Sequence, residues 1–200
     1  MKKRTFLKTM AGLLAGGANL LQAQAITTRK KGLVVYFSRK GNNYVDGEIV
    51  FLEVGNTEVI AKKIQRLTGS GLFEIETVKI YPDGYEETTR VAKQEQNEKA
   101  RPALKRTISD IGSYDVVYLG YPNWWGTMPM ALFTFLESHD LSGKTIVPFC
   151  THEGSRLGSS ERDIKALCPK SNVLPGLAIK GSNVHKPGTD SDLATWLKRI

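Results

Sequence analysis

Two adjacent tryptophans, Trp124 and Trp125, stand between Pro122-Asn123 and Gly126-Thr127 and form the most distinctive segment of this 200-residue chain. Pro122-Asn123 joins them to the apolar run Asp115 to Tyr121, which reads as a buried strand. In an extended loop, neighbouring side chains cannot both enter the core. At least one indole then faces a cleft, where its flat surface suits a planar aromatic ligand. The alternative is that both rings pack over the sheet edge and only bury apolar area.

Two more polar loops follow strand-like runs. Ser38-Arg39-Lys40-Gly41-Asn42-Asn43 comes after Gly32 to Phe37 and offers a hydroxyl, two cations and two amides. Further on, Gly55-Asn56-Thr57-Glu58 opens a helix, with Asn56 or Thr57 as its cap. Free N–H groups and the helix dipole make such a start an anion site, and a phosphate dianion fits it. The plainer alternative is that Ser38 and Asn42 satisfy a turn and Asn56 caps the helix. The third loop, Thr151-His152-Glu153-Gly154-Ser155 and onward to Ser160, is rich in glycine and serine. Its main chain can lie against polar ring atoms. His152 is a candidate base or donor, although a lone loop histidine often only satisfies a carbonyl. Glu153 reads more readily as solvated than as catalytic.

The elements that position these loops alternate. Strands are expected at 32–37, 72–75, 115–121, 144–150 and, in two pieces, 173–174 and 177–180. Helices are expected at 57–67, 85–99, 130–138, 160–168 and 190–199. The 85–99 segment is polar and reads as a surface helix. Continuous apolarity in the strands, as in Leu33-Val34-Val35-Tyr36-Phe37, signals burial on both faces of a parallel sheet. Alternation with short connections predicts an α/β doubly wound, five-stranded parallel sheet between two helical layers. Ligands in such sheets bind beyond the carboxyl ends of the strands, where these three loops leave them.

Composition narrows the class. An apolar fraction of 40% and a charged fraction of 24% are those of a globular protein. Residues 1–25 read separately as an export signal. Met1-Lys2-Lys3-Arg4 is a basic start, Met10 to Leu21 is a short apolar run and Ala23-Gln24-Ala25 is a cleavage site. The run is too short for a stable membrane span. Lys3-Arg4-Thr5-Phe6-Leu7-Lys8 resembles a twin-arginine signal with lysine in the first arginine position, and a general secretory signal is the competing reading. The expected address is therefore periplasmic, with residues 26–200 as one mature domain. Cleavage removes four basic residues and lowers the formal charge from +8 to +4. No basic run is interleaved with aromatics, so no nucleic-acid partner is expected. Cys150 and Cys168 fall at opposite ends of a strand–helix unit. A ten-residue helix spans about 15 Å and bridged Cα atoms lie within about 7 Å, so two unbridged thiols are expected. No metal-binding spacing is present.

Taken together, Val35-Tyr36-Phe37-Ser38 with Gly41-Asn42, Gly55-Asn56-Thr57-Glu58, Gly120 to Thr127 and Pro148 to Ser155 resemble the flavodoxin family, and specifically a bacterial flavodoxin-like branch with a Trp-Trp-Gly loop. The resemblance spans residues 32–200 and its blocks come in family order. It implies sheet order 2-1-3-4-5 and the cofactor FMN. By resemblance, Ser38, Lys40, Gly41, Asn42 and Asn43 belong to the phosphate loop, with Asn56 and Thr57 at the helix start. Pro122, Asn123, Trp124, Trp125, Gly126 and Thr127 flank the flavin ring, and Thr151, His152, Glu153, Gly154 and Ser155 reach its far side. In the family the phosphate loop runs directly into the helix, whereas here Asn43 to Val54 intervene. The resemblance also implies electron transfer to an unidentified redox partner protein or small acceptor, with no catalytic side chain. A reductase of quinone-like acceptors and a non-redox module for a phosphorylated ligand or a protein are the alternatives.

Overall fold

The computed structural model describes residues 30–200, so the expected signal at 1–25 lies outside the described residues. The main sheet is parallel. Strands β1 (Gly32–Tyr36), β4 (Gly71–Glu74), β5 (Val116–Pro122), β6 (Thr145–His152), β7 (Asn172–Val173) and β8 (Leu177–Lys180) lie in the order β4-β1-β5-β6, with β7 and β8 both paired to the outer side of β6. Counting β7 and β8 as one broken edge strand gives the expected 2-1-3-4-5 winding. The registers Tyr36↔Gly120 and Pro122↔Thr151 bring the carboxyl ends of the three central strands to one rim.

Helices α1 (Asn56–Thr68) and α5 (Pro187–Leu197) cover one face of the sheet. Ile60, Ile64, Leu193 and Trp196 pack there on Val34, Tyr36 and Phe149. Helices α3 (Met130–Glu137) and α4 (Ser160–Leu167) cover the other, where Leu132, Phe135 and Ile164 pack on Val35, Leu119 and Ile146. The chain-buried strands are near-continuous apolar runs because both faces are covered. Gly69 ends α1 in the left-handed conformation, and its N–H donates to the Gln65 carbonyl at 2.8 Å.

Two elements depart from the sequence-based expectation. Helix α2 (Tyr85–Glu98) is not merely a surface helix, because Thr88 and Ala92 are buried. Its Tyr85, Thr88, Thr89 and Ala92 recur at helical spacing and define one inward face. The stretch between the two Gly-Asn pairs is also ordered. It forms an antiparallel hairpin of β2 (Gly41–Val45) and β3 (Glu48–Leu52), paired only with itself among the described residues. Asp46 and Gly47 turn it with φ of 51° and 98°, the positive pair that matches the twist of a hairpin.

Candidate functional site

A cavity of about 470 Å³ opens at the rim where β1, β5 and β6 end. All three polar loops reach it, together with the inward face of α2 and the hairpin.

The β1 loop supplies Ser38. Its hydroxyl oxygen accepts the Glu58 N–H at 3.0 Å, so a residue eighteen positions upstream of the helix caps α1. Gly55 occupies the cap position itself, and any Cβ there would overlap the Ser38 hydroxyl and the Arg39 carbonyl. The first-turn amides of Asn56 and Thr57 have no protein acceptor among the described residues. Both residues line the cavity, so the start of α1, where a helix leaves its first N–H groups free and carries the positive end of its dipole, lies at the cavity wall. Thr57 Oγ1 shares a 2.7 Å hydrogen bond with Thr151 Oγ1, which locks this helix start to the end of β6.

The tryptophan loop is a tight turn rather than an extended segment. Trp124 N–H donates to the Thr127 carbonyl at 2.8 Å, and Thr127 N–H donates back to Trp124. Trp125 and Gly126 occupy the tip with φ of 53° and 83°. A tryptophan with positive φ carries backbone strain of about 1–2 kcal/mol. Asn123 braces the turn by accepting the Gly126 N–H at 3.0 Å and donating to the Arg156 carbonyl at 2.8 Å. The two indoles therefore separate. Trp124 meets Phe37 and Tyr81 edge-on, with centroids 5.4 and 5.1 Å away, and packs on the core. Trp125 is 52% exposed. Its ring N–H donates to the Thr89 carbonyl at 2.9 Å, and Lys93 sits 5.1 Å from its centroid. Both rings line the cavity.

In the third loop, His152 Nδ1 accepts the Gly154 N–H at 2.9 Å. Burial, followed by the nearby charges of Arg156 and Lys180, lowers the pKa of His152 below the usual histidine value. The ring is thus neutral at pH 7 with its proton on Nε2. Glu153 lines the cavity, but one carboxylate oxygen accepts the Asp46 N–H at 3.2 Å and the other is buried without a hydrogen-bond partner. A Cβ on Gly181 would overlap that second oxygen, and Asn56 Nδ2 lies against the same position.

Of the residues expected at the site, Ser38, Asn43, Asn56, Thr57, Pro122 and Asn123 line the cavity, as do Trp124, Trp125, Gly126, Thr151, His152, Glu153 and Ser155. Lys40, Gly41, Asn42, Thr127 and Gly154 do not. Lys40 is exposed, and Gly41 and Asn42 begin the hairpin. The Thr127 hydroxyl donates to Asp163 at 2.6 Å. Arg39, a cation of the first polar loop, lines it too, as does Tyr44, which the sequence left between the cleft and the surface; Tyr85, Thr88, Thr89, Ala92 and Gly181 line it without having been expected there. The Arg39 guanidinium donates to the carbonyls of Asn42, Pro82 and Asp83, the last two at 2.8 and 2.7 Å, so it fastens the hairpin root to the start of α2. Its pKa is lowered by burial, yet arginine stays charged. The spacing of Tyr85, Thr88, Thr89 and Ala92 was the readable signal for the α2 wall. Among the described residues no cluster of three or more potential metal ligands occurs, and no helix is long and apolar enough to cross a membrane.

The chain is an α/β protein with a doubly wound sheet and a loop-lined cleft at its carboxyl rim, the place where ligands bind in such sheets. The flavodoxin family model matches residues 49–200, and the chain belongs to that family. A protein of Bacteroides eggerthii classed as a flavoprotein is 31% identical, with a TM-score of 0.69 over 86% of this chain and 98% of that one. A second, from Bacteroides uniformis, is 25% identical, with a TM-score of 0.66 over 84% of this chain and 98% of that one. A Lactobacillus acidophilus flavoprotein, solved in complex with FMN, shares the fold at 23% identity, with a TM-score of 0.58 over 78% of this chain and 97% of that one. No curated protein matches the chain significantly.

Proposed function

We propose that this protein binds FMN in the rim cavity and passes electrons through it. The observation that carries the reading is that the cavity joins two unlike ends. At one end, Ser38 and the start of α1 at Asn56 and Thr57 line the space, and a helix start with free N–H groups suits a phosphate. At the other, Trp125 and Trp124 offer aromatic surface for a flavin ring. Family membership and the FMN found in the Lactobacillus relative support the same reading. FMN would supply the redox chemistry. The protein's part is to hold the phosphate, orient the ring and exclude water. His152, neutral with Nε2–H, and the main chain of Ser155 are the polar groups available to the ring.

We further propose that residues 1–25 direct export and that the mature protein is periplasmic. Titration of the purified protein with FMN, followed by flavin fluorescence and visible absorbance, tests the first claim: saturable one-to-one binding is expected, and its absence refutes it. Cell fractionation with amino-terminal sequencing tests the second, and a mature chain starting at Ile26 is expected.

A further inference from the structure

The hairpin β2–β3 crosses the site. Its root leaves β1, while its tip residue Asp46 contacts Lys180, the last residue of β8. Those strands are three steps apart in the order β1-β5-β6-β8. Three steps amount to about 14 Å, and a five-residue strand reaches about 17 Å. The ribbon is therefore long enough to traverse the carboxyl rim of the central strands, and it presents Asn43 and Tyr44 to the cavity on the way.

Three attachments hold it there. Arg39 anchors the root to the Pro82 and Asp83 carbonyls. Midway, Tyr44 stacks on Tyr85 of α2 with centroids 6.0 Å apart and an interplanar angle of 26°. At the tip, Asp46 makes an ion pair and hydrogen bond with Lys180, and its N–H donates to Glu153. The root is half-buried and many-bonded, whereas the tip pair is exposed on both sides. Neither Asp46 nor Lys180 lines the cavity. An isolated two-stranded ribbon is marginally stable by itself, so its position depends on these attachments, and the tip is the one that salt and solvent weaken most.

We propose that residues 41–52 form a strap latched across the bound ligand by Asp46 on Lys180 and Glu153, and that ligand exchange requires this latch to open. The proposal rests on the FMN reading, and it assigns control of ligand release to two residues outside the binding surface.

The test loads the protein with FMN and measures release into excess competing apoprotein by flavin fluorescence. Asp46→Asn keeps a residue tolerant of positive φ but removes the charge, and Lys180→Met removes its partner. Each change is expected to speed release at least threefold, and the double variant should be no faster than the faster single one. High salt should accelerate release from the wild type and leave the variants unchanged. Wild-type protein that takes up no FMN overturns the strap together with the reading beneath it. Wild-type protein that holds FMN, with single variants releasing it less than threefold faster, overturns the strap alone.

Discussion

At the residue scale, the paired tryptophans have different work. Trp124 is half-buried among Phe37, Tyr81 and the core. Its replacement by alanine is expected to cost about 3 kcal/mol of stability, read from denaturant unfolding. Trp125 is 52% exposed at the tip of a strained turn. Trp125→Ala should leave the unfolding midpoint nearly unchanged and weaken flavin binding at least tenfold in a fluorescence titration. His152 gives a second expectation. Burial above all holds its folded pKa below the ordinary histidine value, so the unfolded chain binds its proton more readily. The neutral ring's contribution is complete above the unfolded pKa and is lost as pH falls from about 6.5 towards the folded value. The thermal midpoint should therefore drop less between pH 7 and 5.5 in His152→Gln than in the wild type.

At the element scale, the site depends on how its loops brace one another. Gly158 has φ of 54°, and a Cβ there would overlap the Gly126 carbonyl oxygen. That carbonyl also accepts the Ser159 N–H at 2.7 Å, so the third loop and the tryptophan turn are clamped together. Gly158→Ala should destabilise the protein by about 2 kcal/mol. It should also weaken FMN binding by displacing Trp125. Thermal unfolding and titration check the two effects. The strands and the α1, α3 and α4 helices were legible in the sequence because their apolar runs and helical spacing are long enough to impose one reading. The hairpin was not read, although Asp46-Gly47 between Tyr44-Val45 and Ile49-Val50 is a strong turn signal. Its strands are only five residues each and lie between two Gly-Asn pairs of phosphate-loop character, which masks their two-residue period. Helix α2 misled for the opposite reason. Its buried stripe is built from Thr88 and Ala92, which mean hydropathy does not mark as a core face.

At the scale of the whole molecule, the alternation of strands and helices made the parallel, doubly wound class legible, while the strand order followed only from the resemblance of the loop motifs to the flavodoxin family. Which side chains would meet at the rim was not legible. Lys40 and Arg39 are neighbours of the same charge, yet one is exposed and the other turns into the cavity wall to fasten carbonyls of a segment more than forty residues away. Sequence spacing cannot register such a contact, since it depends on where Pro82 and Asp83 come to rest. The same holds for Gly181, whose place beside Glu153 and Asn56 follows from β8 ending next to β6.

Both thiols are sealed in the core, on the side covered by α3 and α4, and are not bonded to one another. Burial raises the pKa of Cys168 to about 11, and that of Cys150 further, so neither sulfur offers a thiolate to an oxidant or an alkylating reagent. The fold thus holds itself together without any covalent staple. Its melting temperature should be the same with or without dithiothreitol, and iodoacetamide should label the cysteines only after denaturation.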